Sequence, residues 1–282
     1  MIDLHTHSSA SDGSWTPEKL MHMASEAQIS AIALTDHDCV DGIFEAEKAA
    51  GKLGIQLIRG VEIEIAFSPG EFHLLGLDLA PGKSLDSLKE TALYGTLKSL
   101  AKAREDRNRR VLQKFADAGF PVNYDEIKER YGARMIGRPH IAEHLVDKGI
   151  VKNKQKAFNE YLAKGRPYFI QKECVSLETA IPLIHDAGGL AFVAHPLSLY
   201  VSWPHLKTLL EDWKELGLDG IEAWHPLARV TDCERLEKLG RELGLRISAG
   251  SDYHGPIRPD RKLGLTSGDR PIADMYLSAL KR

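Results

Sequence analysis

Met1-Ile2-Asp3-Leu4-His5-Thr6-His7-Ser8 is a short apolar run that breaks into two histidines two residues apart. In a strand, residues i and i+2 face the same side, so His5 and His7 are able to point at one metal ion from a single strand end. Aliphatic side chains fill the middle of such a strand, and histidines belong where it meets solvent. By itself this spacing arises by chance; its weight comes from what recurs downstream.

Working outward, Ser11-Asp12-Gly13-Ser14 reads as a loop, and Thr16-Pro17-Glu18 starts a helix with Thr as N-cap and Pro in the first turn. Ala31 to Thr35 is an apolar run of the kind buried parallel strands show, and it ends in Asp36-His37-Asp38. A helix over about 42–53 leads to a longer strand, 56–65, which carries Glu62. Phe72 to Leu77, with His73, follows the Ser68-Pro69-Gly70 turn as a hairpin partner. From about 84 to 118 the pattern is helical, and Lys98 to Lys114 holds seven basic residues against two acidic ones. No strand-like run occurs between Leu79 and Phe169, so this block reads as an insertion into a strand-helix alternation. Alternation resumes at Ser176, with strands ending in Ala194-His195-Pro196, Trp224-His225-Pro226 and Ser251-Asp252-Tyr253-His254.

Seven strand-like runs result, and at least five end in His or Asp. Closed parallel α/β barrels carry their active sites at the C-terminal strand ends, so these groups predict one functional rim. The expected fold class is α/β: a distorted seven-stranded barrel, 1–97 and 171–282, with a helical insertion, 98–170, capping it. The 282 residues suffice for such a domain. The net charge of -3 argues against broad polyanion binding. Cys39, Cys174 and Cys233 lie far apart without CxxC spacing, which argues against a zinc ribbon and a disulfide framework. With no membrane-length apolar run and no signal-like N-terminus, a cytoplasmic protein is expected.

The strand-end groups are His5, His7, Asp12, His37, Glu62, His73, His195, Asp252 and His254. Imidazoles mixed with carboxylates suit Zn, Mn or Fe, and nine donors are enough for two or three ions if a carboxylate such as Glu62 is shared. Asp3-Leu4-His5-Thr6-His7, Thr35-Asp36-His37-Asp38, Gly60-Val61-Glu62, Ala194-His195-Pro196 and Ser251-Asp252-Tyr253-His254 together resemble the ordered motif set of the PHP (polymerase and histidinol phosphatase) family. The helical insertion and Gly137-Arg138-Pro139-His140-Ile141-Ala142 are similar to its RNase AM-like, nucleoside 3′,5′-bisphosphate phosphatase branch. The resemblance implies a distorted (β/α) barrel and three cation positions. These are His5, His7, Glu62 and Asp252; Glu62, His73 and His195; and Asp12, His37 and His254. His73 has no flanking motif. Asp12 stands where relatives carry histidine, which shifts the expected ion from Zn²⁺ or Fe²⁺ to Mn²⁺.

The expected activity is metal-dependent hydrolysis of the 3′-phosphate of nucleoside 3′,5′-bisphosphates, with 5′-to-3′ degradation of short single-stranded RNA as a linked activity. Water activated by paired ions requires no covalent nucleophile, and no P-loop, nucleophile elbow or Ser-Lys motif offers one. His195, His254 and Asp252 are the expected catalytic residues, and His195, His254 and His225 are equal candidates for the leaving-group acid. Arg134, Arg138, Asn108 and Arg107 are expected to bind the 5′-phosphate. Histidinol-phosphate hydrolysis, a non-catalytic metal-binding module and an amidohydrolase are the alternatives.

The plainer readings stand beside these. His22, His144, His185 and His205 read as structural helix residues, and the Lys98–Lys114 run as the solvated face of a helix. His140 divides evenly between capping its helix and touching substrate, and His225 between packing and the rim. Tyr200 and Trp203 read as loop packing before base stacking.

Overall fold

The computed structural model describes residues 1–131 and 136–281. Seven strands form one curled sheet in sequence order: β1 (Ile2–Thr6), β2 (Ala31–Leu34), β3 (Gln56–Ile65), β4 (Phe72–Leu77), β5 (Leu190–Val193), β6 (Gly220–Trp224) and β7 (Arg246–Ala249). β4 runs antiparallel to both neighbours, and every other pairing is parallel. The hairpin reading of Phe72 to Leu77 agrees with that reversal. The curl brings β1 against the segment after β7. There Thr6 bridges Tyr253, the His7 amide donates to the Tyr253 carbonyl (2.9 Å), and the Asp252 amide donates to the His5 carbonyl (2.8 Å).

Helices α1 (Pro17–Glu26), α2 (Ile43–Leu53), α7 (Leu177–Asp186), α8 (Trp203–Glu215) and α9 (Val230–Glu242) belong to the strand-helix alternation. Thr16 caps α1 by accepting from the Lys19 amide, with Pro17 at the first helical position. The apolar residues of β1, β2 and β5 are all buried, as strands covered on both faces require.

Between β4 and α7 lie α3 (Ala92–Asp117), α4 (Tyr124–Tyr131), α5 (Arg138–Asp147) and the single turn α6 (Lys154–Ala157). α3 serves two cores. Leu93 and Leu97 join the barrel core, whereas Val111, Leu112 and Phe115 join a second cluster with Ile127, Ile141 and Leu145. Arg104, Arg107 and Asn108, in the middle of α3, are buried between them. The basic run is therefore not uniformly solvated, a departure from the sequence expectation. Charged side chains are buried only where partners await them. Among the described residues no helix is long and apolar enough to cross a membrane.

Candidate metal centre

Three closures bring the strand ends together. Asp3, buried in β1, accepts from the Ser251 amide (3.0 Å), the Ser251 hydroxyl (2.6 Å) and the Gly264 amide (2.8 Å), tying the first strand to the end of the last. Burial pushes its pKa up to about 6 against the pull of those donors. Asp36 accepts from the Ser8 amide (2.8 Å), the Ser8 hydroxyl (2.7 Å) and the Ser11 hydroxyl (2.6 Å), which fixes the loop presenting Asp12. At Gly250, a Cβ would lie 2.2 Å from His5 Cβ and 2.6 Å from Glu222 Oε1, so only glycine lets β7 approach there. Asp38, His195 and Asp252 all take left-handed backbone (φ +48°, +29° and +51°), a strain that concentrates at functional rims.

Glu62 lies at the middle of what results. Its Oε1 is 2.9 Å from His73 Nδ1 and 3.0 Å from His195 Nε2. Its Oε2 is 3.0 Å from His37 Nδ1, 3.2 Å from His7 Nε2 and 3.4 Å from His5 Nε2. Asp252 Oδ1 faces His7 Nε2 (3.1 Å) and His5 Nε2 (3.4 Å), and Asp12 Oδ1 faces His254 Nε2 (3.3 Å). The donor atoms group as His5, His7, Glu62 and Asp252; as His37, Glu62 and His73; and as His7, Asp12, His37 and His254, each within 4.8 Å. Eight of the nine sequence-derived ligand candidates fall in these groups, with His37 in the place expected of His195 beside Glu62 and His73; His195 joins the cluster through its own contact with Glu62 Oε1. No lysine bonds to Glu62 among the described residues.

Proton bookkeeping tests whether this set fits cations. Ser198 donates its hydroxyl proton to the Glu71 carbonyl (2.8 Å), so it accepts from His195 Nδ1 (2.9 Å), and the His195 Nε2 lone pair faces Glu62. His254 Nδ1 donates to the Asp252 carbonyl (2.8 Å), turning its Nε2 lone pair toward Asp12. His5 Nδ1 donates to Glu222 Oε1 (3.0 Å), which leaves Nε2 facing two carboxylates and, at 3.1 Å, His7 Nε2. Lone pairs aimed at one another at such distances repel unless positive charge lies between them. Among the described residues, the buried Glu62 Oε2, Asp252 Oδ1 and Asp12 Oδ1 have no hydrogen-bond donor. Divalent cations fit this donor set.

Protonated imidazoles are the other source of that positive charge. Burial opposes ionisation of Glu62, but His37, His73 and His5 hold its carboxyl well below the usual range. Burial likewise opposes ionisation of Asp252, which His5, Arg261 and His254 overcome. For His73, burial works against the charged form, yet Glu62 carries its pKa up to about 9.

Other candidates fall elsewhere. Arg107 and Arg138 line a cavity of about 180 Å³ beside the cluster, together with Arg104, Lys172 and Arg258. Asn108 does not line it: the side chain is fully buried and its amide donates to the Ile136 carbonyl (2.6 Å), anchoring the approach to α5. Arg134 lies outside the described residues. His140 caps its own helix, accepting from the Gly137 amide (3.0 Å). His225 is buried and accepts from the Leu227 amide at Nδ1 (3.2 Å), so Nε2 donates to Asp252 Oδ2 (3.1 Å). With both nitrogens engaged it positions Asp252, and it drops out as a leaving-group acid.

Three groups escaped the sequence reading. Arg261 bonds to Asp252 Oδ2. Lys172 bonds to Asp38 (2.5 Å) and Glu64 (2.7 Å), with Arg104 also on Asp38. Glu222, fully buried in β6, binds His5 Nδ1 through Oε1 and accepts from the His195 amide through Oε2 (2.8 Å). Its signal was a carboxylate inside an apolar strand. Outer partners of this kind fix imidazole tautomers, and their loss costs roughly 10–100-fold in metal affinity. Glu222→Gln is expected to weaken Mn²⁺ binding by about that factor in calorimetric titration, with most of the turnover returning at saturating metal.

Comparison with known proteins places these features in context. Residues 3–116 match the PHP domain family. The chain is 35% identical to a 3′,5′-nucleoside bisphosphate phosphatase of Chromobacterium violaceum, covering 96% of this chain and 93% of that one. It is 38% identical to a 5′-3′ exoribonuclease of Haemophilus influenzae, covering 97% and 98%. An amidohydrolase from Chromobacterium violaceum, solved with sulfate bound and no metal, superposes with a TM-score of 0.83 at 32% identity, covering 100% of this chain and 97% of that one.

Proposed function

Because this chain belongs to the PHP domain family, we propose that it is a metal-dependent phosphoesterase hydrolysing the 3′-phosphate of nucleoside 3′,5′-bisphosphates. Short 5′-phosphorylated RNA is its second substrate, and Mn²⁺ its preferred ion. The observation that carries the reading is a cluster of eight grouped donors, with His195 beside Glu62, opening directly onto a cavity lined by cationic side chains. Bound divalent cations supply Lewis acidity and lower the pKa of an attacking water.

The chain's own residues do the rest. Glu62 would be the carboxylate shared between cation positions, and Asp252 and Asp12 would supply acids to the flanking ones. His195, His254 and Asp252 would act by holding cations, since the Nδ1 protons of both imidazoles are already donated inward. We assign residues 98–170 to a cap whose face toward the barrel receives the 5′-phosphate. Arg107 suits that task. It is buried, its Nε has no hydrogen-bond partner among the described residues, and burial with Arg104 and Arg138 nearby pushes its pKa down to about 10. Such a cationic cluster favours an anion. Arg138, and Arg134 from outside the described residues, complete the assignment.

The test is phosphate release by the chelated and Mn²⁺-restored protein from adenosine 3′,5′-bisphosphate, adenosine 3′-monophosphate and histidinol phosphate. The bisphosphate should lead, and only with metal restored; faster release from histidinol phosphate would reverse the assignment. Arg138→Ala should raise KM for the bisphosphate about tenfold, in the range for a lost charge-assisted contact. KM for the 3′-monophosphate should not move.

A further inference from the structure

A larger cavity, about 410 Å³, lies beside the cationic one and reaches over Glu62, His195, Asp252 and His254. Four residues line both cavities: His37, Glu71, His73 and Arg258. They mark the junction between the two. In the function proposed above, on which this inference rests, the 5′-phosphate is held beneath the cap and the 3′-phosphate at the cations. The ribose joins those two groups, so its 3′-oxygen lies at the junction, and the substrate's own base extends into the larger cavity.

The 3′-oxygen gathers negative charge as its bond to phosphorus breaks, and the imidazoles are poorly placed to meet it. His195 and His254 have given their Nδ1 protons inward, and His225 has both nitrogens engaged. Of the junction residues, His37 and His73 face Glu62 as cation ligands, and Glu71 is an acid. Arg258 remains. Its side chain is exposed, and no described residue bonds to or pairs with its guanidinium. The neighbouring cations are committed, Arg104 and Lys172 to Asp38 and Arg261 to Asp252.

The backbone beneath Arg258 is fixed even so. Its amide donates to the Gly255 carbonyl (3.0 Å), and its carbonyl accepts from the Arg261 amide (3.1 Å). Just upstream, the Ser14 amide and the Ser14 hydroxyl each donate to the His254 carbonyl (2.9 Å). Gly255 takes φ +76°, and a Cβ there would lie 2.9 Å from Trp15 Nε1. The segment carrying Arg258 is thus clamped to the loop that presents Asp12, an uncommitted guanidinium on an anchored base.

We propose that Arg258 is a catalytic residue whose guanidinium donates hydrogen bonds to the 3′-oxygen as that oxygen leaves. Arginine stays protonated at any working pH, so it supplies charge and hydrogen bonds but no proton. The reaction balances with water alone. A water oxygen bonds to phosphorus, the bond from phosphorus to the 3′-oxygen breaks with its electron pair passing to that oxygen, and the oxygen takes up a proton shed by the water. A donor aimed at charge that develops only in the transition state raises kcat and leaves KM in place.

The experiment compares adenosine 3′,5′-bisphosphate with the same compound carrying sulfur at the bridging 3′ position, whose thiolate leaves without help. Single-turnover rates are measured with the Mn²⁺-loaded wild type, Arg258→Ala and Arg258→Lys, and bound manganese is counted by elemental analysis. The position is exposed, so truncation leaves the fold intact. Expected is a fall of about a hundredfold on the bisphosphate with Arg258→Ala, of at most about threefold on the sulfur compound, and partial recovery with Arg258→Lys, which keeps the charge. Manganese per chain stays at the wild-type level. Equal falls on the two substrates would overturn the proposal, because Arg258 would then grip the phosphoryl group. A raised KM at unchanged maximal rate would overturn it by assigning Arg258 to the 5′-phosphate, and unchanged rates on both substrates would leave it no role. If the wild type leaves the bisphosphate intact, it is the underlying function that fails instead.

Discussion

Glu62→Gln is expected to lower phosphate release from adenosine 3′,5′-bisphosphate more than about a thousandfold, well past the roughly 10–100-fold that loss of an outer partner such as Glu222 brings. The difference follows from position. Glu62 faces five imidazoles, with one oxygen turned to His73 and His195 and the other to His5, His7 and His37. The amide keeps the shape and one acceptor oxygen but removes the charge, and its NH₂ turns donor protons toward a nitrogen lone pair. Added Mn²⁺ should not restore turnover, in contrast to the Glu222 variant. Bound manganese per chain, measured by elemental analysis after gel filtration, should fall in parallel. Retention of full metal content with full activity would remove Glu62 from the shared position.

Asp38→Asn is expected to act on stability, not chemistry. Asp38 is 1% exposed and receives both Arg104 from α3 and Lys172 from the segment before α7. Burial would raise its pKa, but Lys172 and Arg104 bring it down to about 2. Removing that charge strands two buried cations, with Glu64 alone left to face Lys172. Breaking a buried ion pair from one side costs about 3–5 kcal/mol. For a chain of this size that corresponds to a fall in Tm of roughly 6–20 °C in scanning calorimetry. Arg104→Met added to Asp38→Asn should recover part of the loss, since removing both partners costs less than orphaning one. A Tm unchanged by Asp38→Asn would mean that the cap and barrel hold together without this junction.

How much of this could be read beforehand differs by residue. The seven strands were legible because buried parallel strands are continuous apolar runs, and β4 because a turn precedes it. His5, His37, His195 and His254 stood out as imidazoles at the ends of such runs. Glu222 did not, because it sits inside its strand, and nothing in the residue sequence says that a β6 carboxylate meets His5 on β1. Lys172 lies in irregular chain between the two cores, where no periodicity assigns a neighbour. Asn108 shows the opposite failure: a polar residue among arginines looked like a ligand for phosphate, yet the crossing of α3 between two cores buries it against a backbone carbonyl. His225 was divided between packing and rim, and its two hydrogen bonds make it a support for Asp252.

The seam between Thr6 and Tyr253 has a consequence for how the protein is made. Donors at residues 5 and 254 meet in the same pocket, so two of the three donor groups stay incomplete until the end of the chain is made. At roughly 5–20 residues per second the first histidine waits on the order of 10–50 s for the last to emerge from the ribosome. During that wait, β1 has one of its two flanking segments still unmade. Completion of the centre in this architecture is therefore a late event, set by Asp252 and His254.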